Sequence, residues 1–90
     1  MNLLLKILNS LLARRYQITD HAIESMDHDS IALNDLFWCL GNGRLRRSWP
    51  RQRKHEIQGR TLDGRPMRVV VRLIGPRFVR IITVYEVQSS

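Results

Sequence analysis

His21 stands in Thr19-Asp20-His21-Ala22-Ile23-Glu24-Ser25-Met26, one residue inside what reads as a helix start. An imidazole is the side chain best matched to proton transfer near neutral pH. Helical spacing puts Glu24 and Ser25 on the same side as His21, while Ala22 and Met26 share another side suited to a core. Near the other end of the chain, Thr83 and Tyr85 stand two apart and project from one face of a strand. A threonine there would donate to a phosphate oxygen; a tyrosine would stack on a base, contact phosphate or supply a proton. Each residue also has a plainer reading. His21 would be a partly exposed helix-start residue bonded to a neighbour, and Tyr85 would cap the core with its hydroxyl in water.

The cations raise the second chemical question. Formal charge is +7 and the pI about 11.1, but the charge is unevenly spread. Residues 20–43 hold Asp20, Glu24, Asp27, Asp29 and Asp35 with no Lys or Arg, a net of −5; residues 44–80 hold eleven Arg and Lys54 against Glu56 and Asp63, a net of +10. Such asymmetry points to an anionic partner met by the second half. Arginine dominates over lysine, and its planar fork suits bidentate phosphate contacts. Arg68 and Arg72 share a strand face and are placed to hold phosphates. Trp49 and His55 flank Arg51, Arg53 and Lys54, the composition of a stacking platform with phosphate contacts. Against this stand a solvated basic surface, and a Trp49 that simply plugs the core before Pro50. His28, between two aspartates, reads as a solvated connector residue.

No metal and no cofactor is implied. Three histidines and one cysteine at scattered spacings make no recognisable zinc site. Cys39, within the apolar run Leu36-Phe37-Trp38-Cys39-Leu40, reads as a buried small hydrophobe rather than a nucleophile. A lone cysteine forms no intrachain disulfide, which fits a reducing, cytoplasmic setting.

The elements that must position these residues follow from periodicity. Leu4, Leu5, Leu8, Leu11 and Leu12 recur at helical spacing and predict an amphipathic helix over about 3–14. It is too short to span a bilayer, and its positive charges follow the apolar run, unlike a secretory signal; no membrane role is expected. Tyr16-Gln17-Ile18 reads as a connector. Thr19 is the N-cap of a second helix, with Ile18 and Ile23 placed as a hydrophobic staple and Asp20 at the positive end of the dipole. A third helix fits 33–40 and stops at Gly41-Asn42-Gly43, taken to supply left-handed positions. Strands follow at 44–49, 54–61, 67–73 and 78–87, with a tight turn at Asp63-Gly64. Met67, Val69, Val71 and Leu73 face one way, Arg68, Val70 and Arg72 the other. Ninety residues argue for one domain. The fold class expected is α+β, with N-terminal helices packed on a small antiparallel sheet.

Four blocks in order, YQITDHAIESM, IALNDLFWCLGNG, IQGRTLDGRPMRVVV and IITVYE, resemble the domain-of-unknown-function 4258 family of small bacterial proteins over about residues 16–87. That family resembles RelE- and ParE-type toxins and, more broadly, the barnase–EndoU–colicin–RelE class of metal-independent ribonucleases. The resemblance implies a RelE/ParE-like fold, an RNA partner, with the ribosome as one setting for it, and a neutralising antitoxin protein. Metal-free RNA cleavage needs a base for the 2′-hydroxyl, donors or cations for the phosphorane and an acid for the leaving oxygen. The resemblance assigns these to His21, Arg60, Thr83 and Tyr85, with Arg60 nearest the chemistry because it lies in the matched Gly59-Arg60 pair. Two positions depart from the family pattern. Ser25 stands where an arginine is usual, and Ala32 where a Ser or Thr caps the third helix, a loss of about 1 kcal/mol. The Ser25 change favours the alternative, a non-catalytic nucleic-acid- or partner-binding module.

Overall fold

The computed structural model describes residues 3–88. Helix α1 (Leu3–Leu12) leads into strand β1 (Tyr16–Ile18), then α2 (Asp20–His28) and α3 (Leu33–Asn42). Four strands complete the chain: β2 (Arg44–Trp49), β3 (Lys54–Arg60), β4 (Pro66–Ile74) and β5 (Phe78–Glu86), with a 3-10 turn (Pro50–Gln52) between β2 and β3. The sheet order is β1-β5-β4-β3-β2. Strands β2 to β5 form the expected antiparallel meander, and the α+β class holds. The sheet is mixed rather than purely antiparallel, because Tyr16–Ile18 is a strand and not a connector. It runs parallel to β5, with Tyr16, Gln17 and Ile18 opposite Val79, Arg80 and Ile81. Three residues are too few to show an alternation, so only the long-range pairing reveals them.

One core fills the space between the helices and one face of the sheet. Ile57, Met67, Val69, Val71, Val79, Ile81 and Val84 supply the sheet side, and Ile7, Ala22, Leu36, Cys39 and Leu40 the helix side. In α1 the buried seam is Ile7, Ser10 and Leu11; Leu5 and Leu12 point outward, 49% and 74% exposed. A helix with apolar residues nearly all round has no unique seam by periodicity, and docking against α3 and β5 selects it. The helix ends two residues before Arg14, which takes the left-handed region (φ 58°) while Arg15 N–H donates to Ser10 O at 2.8 Å.

The junction into α2 is fixed from two directions. Thr19 Oγ1 accepts from Ala22 N–H at 3.1 Å, the expected N-cap, and donates to Ile82 O at 3.1 Å, while Thr19 N–H donates to Ile81 O at 3.0 Å. The cap that starts the helix therefore pins it to the edge of β5. α3 begins without a side-chain acceptor at Ala32; instead Asp35 Oδ2 accepts from Ala32 N–H at 2.8 Å. The helix runs through Gly41 and Asn42, and Gly43 is extended (φ −86°), so this stretch supplies no left-handed stop. Glycine is required at Gly43 for closeness: a Cβ there would sit 2.6 Å from both Cys39 O and Gln58 O. Gly59 is tight for the same reason, with a Cβ 2.8 Å from Cys39 Sγ. α3 thus lies directly on β3. Among the described residues, no helix is long and apolar enough to cross a membrane.

Candidate nucleic-acid interface

The three helices bury their residues in one core on one side of the sheet, and the other side carries the cations. Residues directly opposite on neighbouring strands share a face, so the register reads as rungs. One rung is Trp49, Lys54, Arg72, Arg80 and Gln17; the next is Arg47, Glu56, Val70 and Thr83; the third is Arg44, Gln58, Arg68 and Tyr85. Phe78 lies opposite Ile74 on the same face. In β5 the burial alternation slips at Ile82, the extra residue of a bulge between the Val70 and Val71 pairings. That slip puts Thr83 and Tyr85, together with Arg80, on the uncovered face.

Within this layer the charges are partly tied. Glu56, 6% exposed, is the face's central carboxylate: Arg46 Nη1 donates to it at 2.8 Å, and Arg68 Nε lies 3.9 Å away. Arg80 Nε donates to Gln17 Oε1 at 3.0 Å and Arg68 Nε to Gln58 Oε1 at 3.4 Å. Arg72 Nε is buried and donates to nothing among the described residues. A buried donor without an acceptor costs about 1–3 kcal/mol, a cost that an incoming oxygen would remove. Trp49 carries Lys54 Nζ 4.8 Å and Arg47 Cζ 5.5 Å from its ring centroid, which is the stacking cluster in part.

Where the bare face meets α2, His21, Glu24, Ser25, His28, Asp29 and Tyr85 line a shallow depression of about 330 Å³. His21 and Tyr85, sixty-four positions apart in the sequence, share it because the Thr19 cap seats the start of α2 on β5. Its charged members other than histidine are the carboxylates Glu24 and Asp29. Asp29 Oδ2 accepts from Glu86 N–H at 2.9 Å and its Oδ1 meets His28 Nδ1 at 2.9 Å; these two bonds, the backbone one foremost, hold its carboxyl below the usual range. No arginine lines the depression; Arg68, opposite Tyr85, is the neighbouring cation by register.

The matched region spans residues 18–86 and the description is a domain of unknown function, DUF4258. The chain belongs to the DUF4258 family. No curated protein matches the chain. No solved structure matches it either.

Within the DUF4258 region the sequence-predicted residues separate into groups. Arg68, Arg72, Lys54, Trp49, Thr83 and Tyr85 meet on the bare face. His21 meets them through Tyr85. Arg60 is on the bare side by register, one pair beyond Gln58 and Arg68, but outside the His21 depression: it ends β3 opposite Pro66, donates to Gly64 O at 2.8 Å and borders a cleft with Trp38, Arg44 and Gln58. Arg51 is exposed in the 3-10 turn. Arg53, left-handed at φ 52°, donates to Gly75 O at 3.2 Å and so ties that turn to the β4–β5 turn. His55 shares its rung with Ser48 and Val71 on the covered side, bonds Ser48 Oγ through Nδ1 at 2.7 Å, and is pushed below its usual pKa by burial first and Arg53 second. Cys39 is fully buried and its thiol is pushed up to about 12, which leaves no thiolate near neutral pH.

Sequence reasoning passed over Arg44, Arg47, Arg80 and Glu56 on the bare face. Arg47 was within reach, since it stands two before Trp49 and must share its face. Arg80 was hidden by the bulge that breaks the alternation of β5. It also passed over Arg65, which is structural. Its Nη1 and Nη2 donate to Asp29 O and Ser30 O, both at 2.9 Å, and its Nε meets Asp63 Oδ2 at 3.2 Å. This side chain clamps the β3–β4 turn onto the α2–α3 connector. Asp35 Oδ1, accepting from Leu62 N–H at 2.8 Å, fastens the same turn from the other side. No group of three His, Cys, Asp or Glu side chains among the described residues has the arrangement to hold a metal ion.

Proposed function

We propose that this chain is an RNA-binding protein that holds phosphates on the uncovered face of its sheet. The observation that carries the reading is the rung Lys54, Arg72 and Arg80, three adjacent cations beside Trp49, with Arg72 Nε lacking an acceptor. Aromatics at Trp49, Phe78 and Tyr85 give bases surfaces to stack on, which an acidic protein partner would not need. Arg72→Gln with Arg80→Gln should weaken binding of a labelled RNA about tenfold or more. The slope of log affinity against log salt should shrink by about 1.4, at about 0.7 per phosphate contact. Unchanged affinity and slope would remove the sheet face as the binding surface.

A second reading adds metal-free cleavage and a toxin role, and one observation favours it: His21 and Tyr85 share a depression that opens beside Arg68. In this reading His21 takes the 2′-hydroxyl proton and Tyr85 protonates the leaving oxygen, with Arg68 against the phosphate and Thr83 two positions from Tyr85 on the same face. The neutralising partner would be a protein whose acidic segment covers the bare face. The local charge ranks binding above cleavage, because Glu24 and Asp29 oppose a phosphorane where Ser25 brings no cation. RNA incubated with the protein and a chelator tests the point. Cleavage that His21→Ala abolishes while binding persists establishes the enzyme; intact RNA with the wild-type protein leaves the binding reading alone.

A further inference from the structure

A cleft of about 460 Å³ lies at the opposite end of the molecule from the His21 depression, between α1 and the β4–β5 turn. Lys6 and Arg15 border it from the N-terminal segment, Arg77 from the turn, and Asn9 adds an amide; Ala13 and Pro76 add apolar surface. No carboxylate among the described residues lines it. The three cations also differ from several arginines on and beside the sheet. Arg46, Arg53, Arg60, Arg65, Arg68 and Arg80 all donate to a protein acceptor, whereas the side chains of Lys6, Arg15 and Arg77 have no hydrogen bond or ion pair among the described residues. Arg15 and Arg77 are exposed and Lys6 is half-buried, so all three charges can turn to an incoming anion. The C-terminal end of α1 offsets them by at most about half a unit of negative charge.

The cleft is also continuous with the bare face. Arg15 O accepts from Val79 N–H at 3.1 Å, and the next residue, Arg80, belongs to the Lys54–Arg72 rung. The family match begins at residue 18, so the α1 half of the cleft lies outside it and only Pro76 and Arg77 lie within.

We propose that α1 and the β4–β5 turn form a second phosphate-binding cleft, which carries an RNA strand from the bare face over the end of the sheet. This rests on the RNA-binding reading for the identity of the phosphate, but not for the chemistry of the cleft. An RNA phosphodiester and a free phosphate present the same oxygens to Lys6, Arg15 and Arg77, and the strand is the source that continuity with Arg80 selects.

The test uses the full chain and oligouridylates of about four and about twelve nucleotides, within the span that single-strand-binding folds cover. The variant is Lys6→Gln/Arg15→Gln/Arg77→Gln, three surface changes whose thermal melting should match the wild type. The long RNA should lose about tenfold or more in affinity and about 2 in salt slope, while the short one, satisfied by the bare face, should not change. Equal weakening at both lengths would be a general charge effect and would overturn the proposal, as would a variant that binds both the long RNA and pyrophosphate normally. Calorimetry with inorganic pyrophosphate is the second arm. Pyrophosphate bound by the wild type and lost in the variant, with long-RNA binding intact, keeps the phosphate cleft and removes RNA as its ligand. The Arg72→Gln/Arg80→Gln pair separates the two readings: if it changes nothing while the cleft variant weakens the long RNA, the bare-face reading falls and the cleft stands.

Discussion

The two faces of the sheet are made by the same strands and differ in almost everything else. On the covered face Ile57, Met67, Val69, Val71, Val79, Ile81 and Val84 are all completely buried. One residue along each strand, the bare face carries Lys54, Glu56, Gln58, Arg68, Arg72, Thr83 and Tyr85. The first set removes apolar surface from water and supplies the stability of a small domain. The second forms a half-buried layer of long side chains whose stems pack on each other while their charged ends remain available. Stability and binding are therefore separable by moving a single position along a strand.

Breaking the covered face should give the largest effect. Ile57→Ala leaves a cavity against Cys39 and α3 and should cost about 2–5 kcal/mol in denaturant unfolding, a large part of what a domain of this size holds. Arg72→Gln on the bare face should shift the same curve by less than about 1 kcal/mol. Equal costs at the two positions would mean that the faces are not functionally distinct.

Glu56 sharpens the contrast, since it is a buried carboxylate on the binding side. Glu56→Gln should destabilise by about 1–3 kcal/mol, because Arg46 and Arg68 lose their counter-charge. It should also strengthen RNA binding, because two cations are released toward the ligand. Weaker RNA binding by a folded Glu56→Gln protein would mean that those arginines are not directed at phosphate.

Acid should act through a few identifiable groups. The folded pKa of His55 lies below its ordinary 6.5 and that of Asp29 below its ordinary 3.8. Each therefore contributes stability that is complete above its unfolded pKa and lost as pH falls toward the folded value. The melting temperature should begin to drop below about pH 6.5 and drop further below about 3.8, and His55→Gln should remove the upper step. A melting temperature flat from pH 7 to 5 would count against the partial burial of His55 beside Arg53.

The smallest expected effect concerns backbone strain outside both faces. Ser30 is left-handed at φ 55° while Ile31 N–H closes onto Met26 O at 2.8 Å. Ser30→Gly keeps the carbonyl that Arg65 holds and relieves the strain, so it should stabilise by up to about 1 kcal/mol.

Much of the fold was legible because it is local. Thr19 caps because a hydroxyl precedes a helical run, and β4 declares its two faces because Arg68 and Arg72 alternate with Met67, Val69, Val71 and Leu73, with Val70 the one exception. What stayed hidden depends on partners distant along the chain. Tyr16–Ile18 is a strand because β5, about sixty residues later, leaves an edge for it. Ser10 rather than Leu12 lies in the buried seam of α1 because α3 and β5 choose how that helix turns. Arg60 and Arg65 look alike in sequence, yet one reaches a nearby carbonyl and the other clamps the α2–α3 connector.

By itself the amino-acid order determined the α+β composition, the opposite charges of the two halves and the pairs of residues that share a strand or helix face, since each depends on a period of a few residues. The tertiary structure decided which face the helices cover, where the bulge at Ile82 swings Thr83 and Tyr85, and that His21 lies beside Tyr85 while Arg60 does not. Those outcomes depend on strand register and helix docking, which are set by side chains meeting across the core rather than by neighbours in the chain.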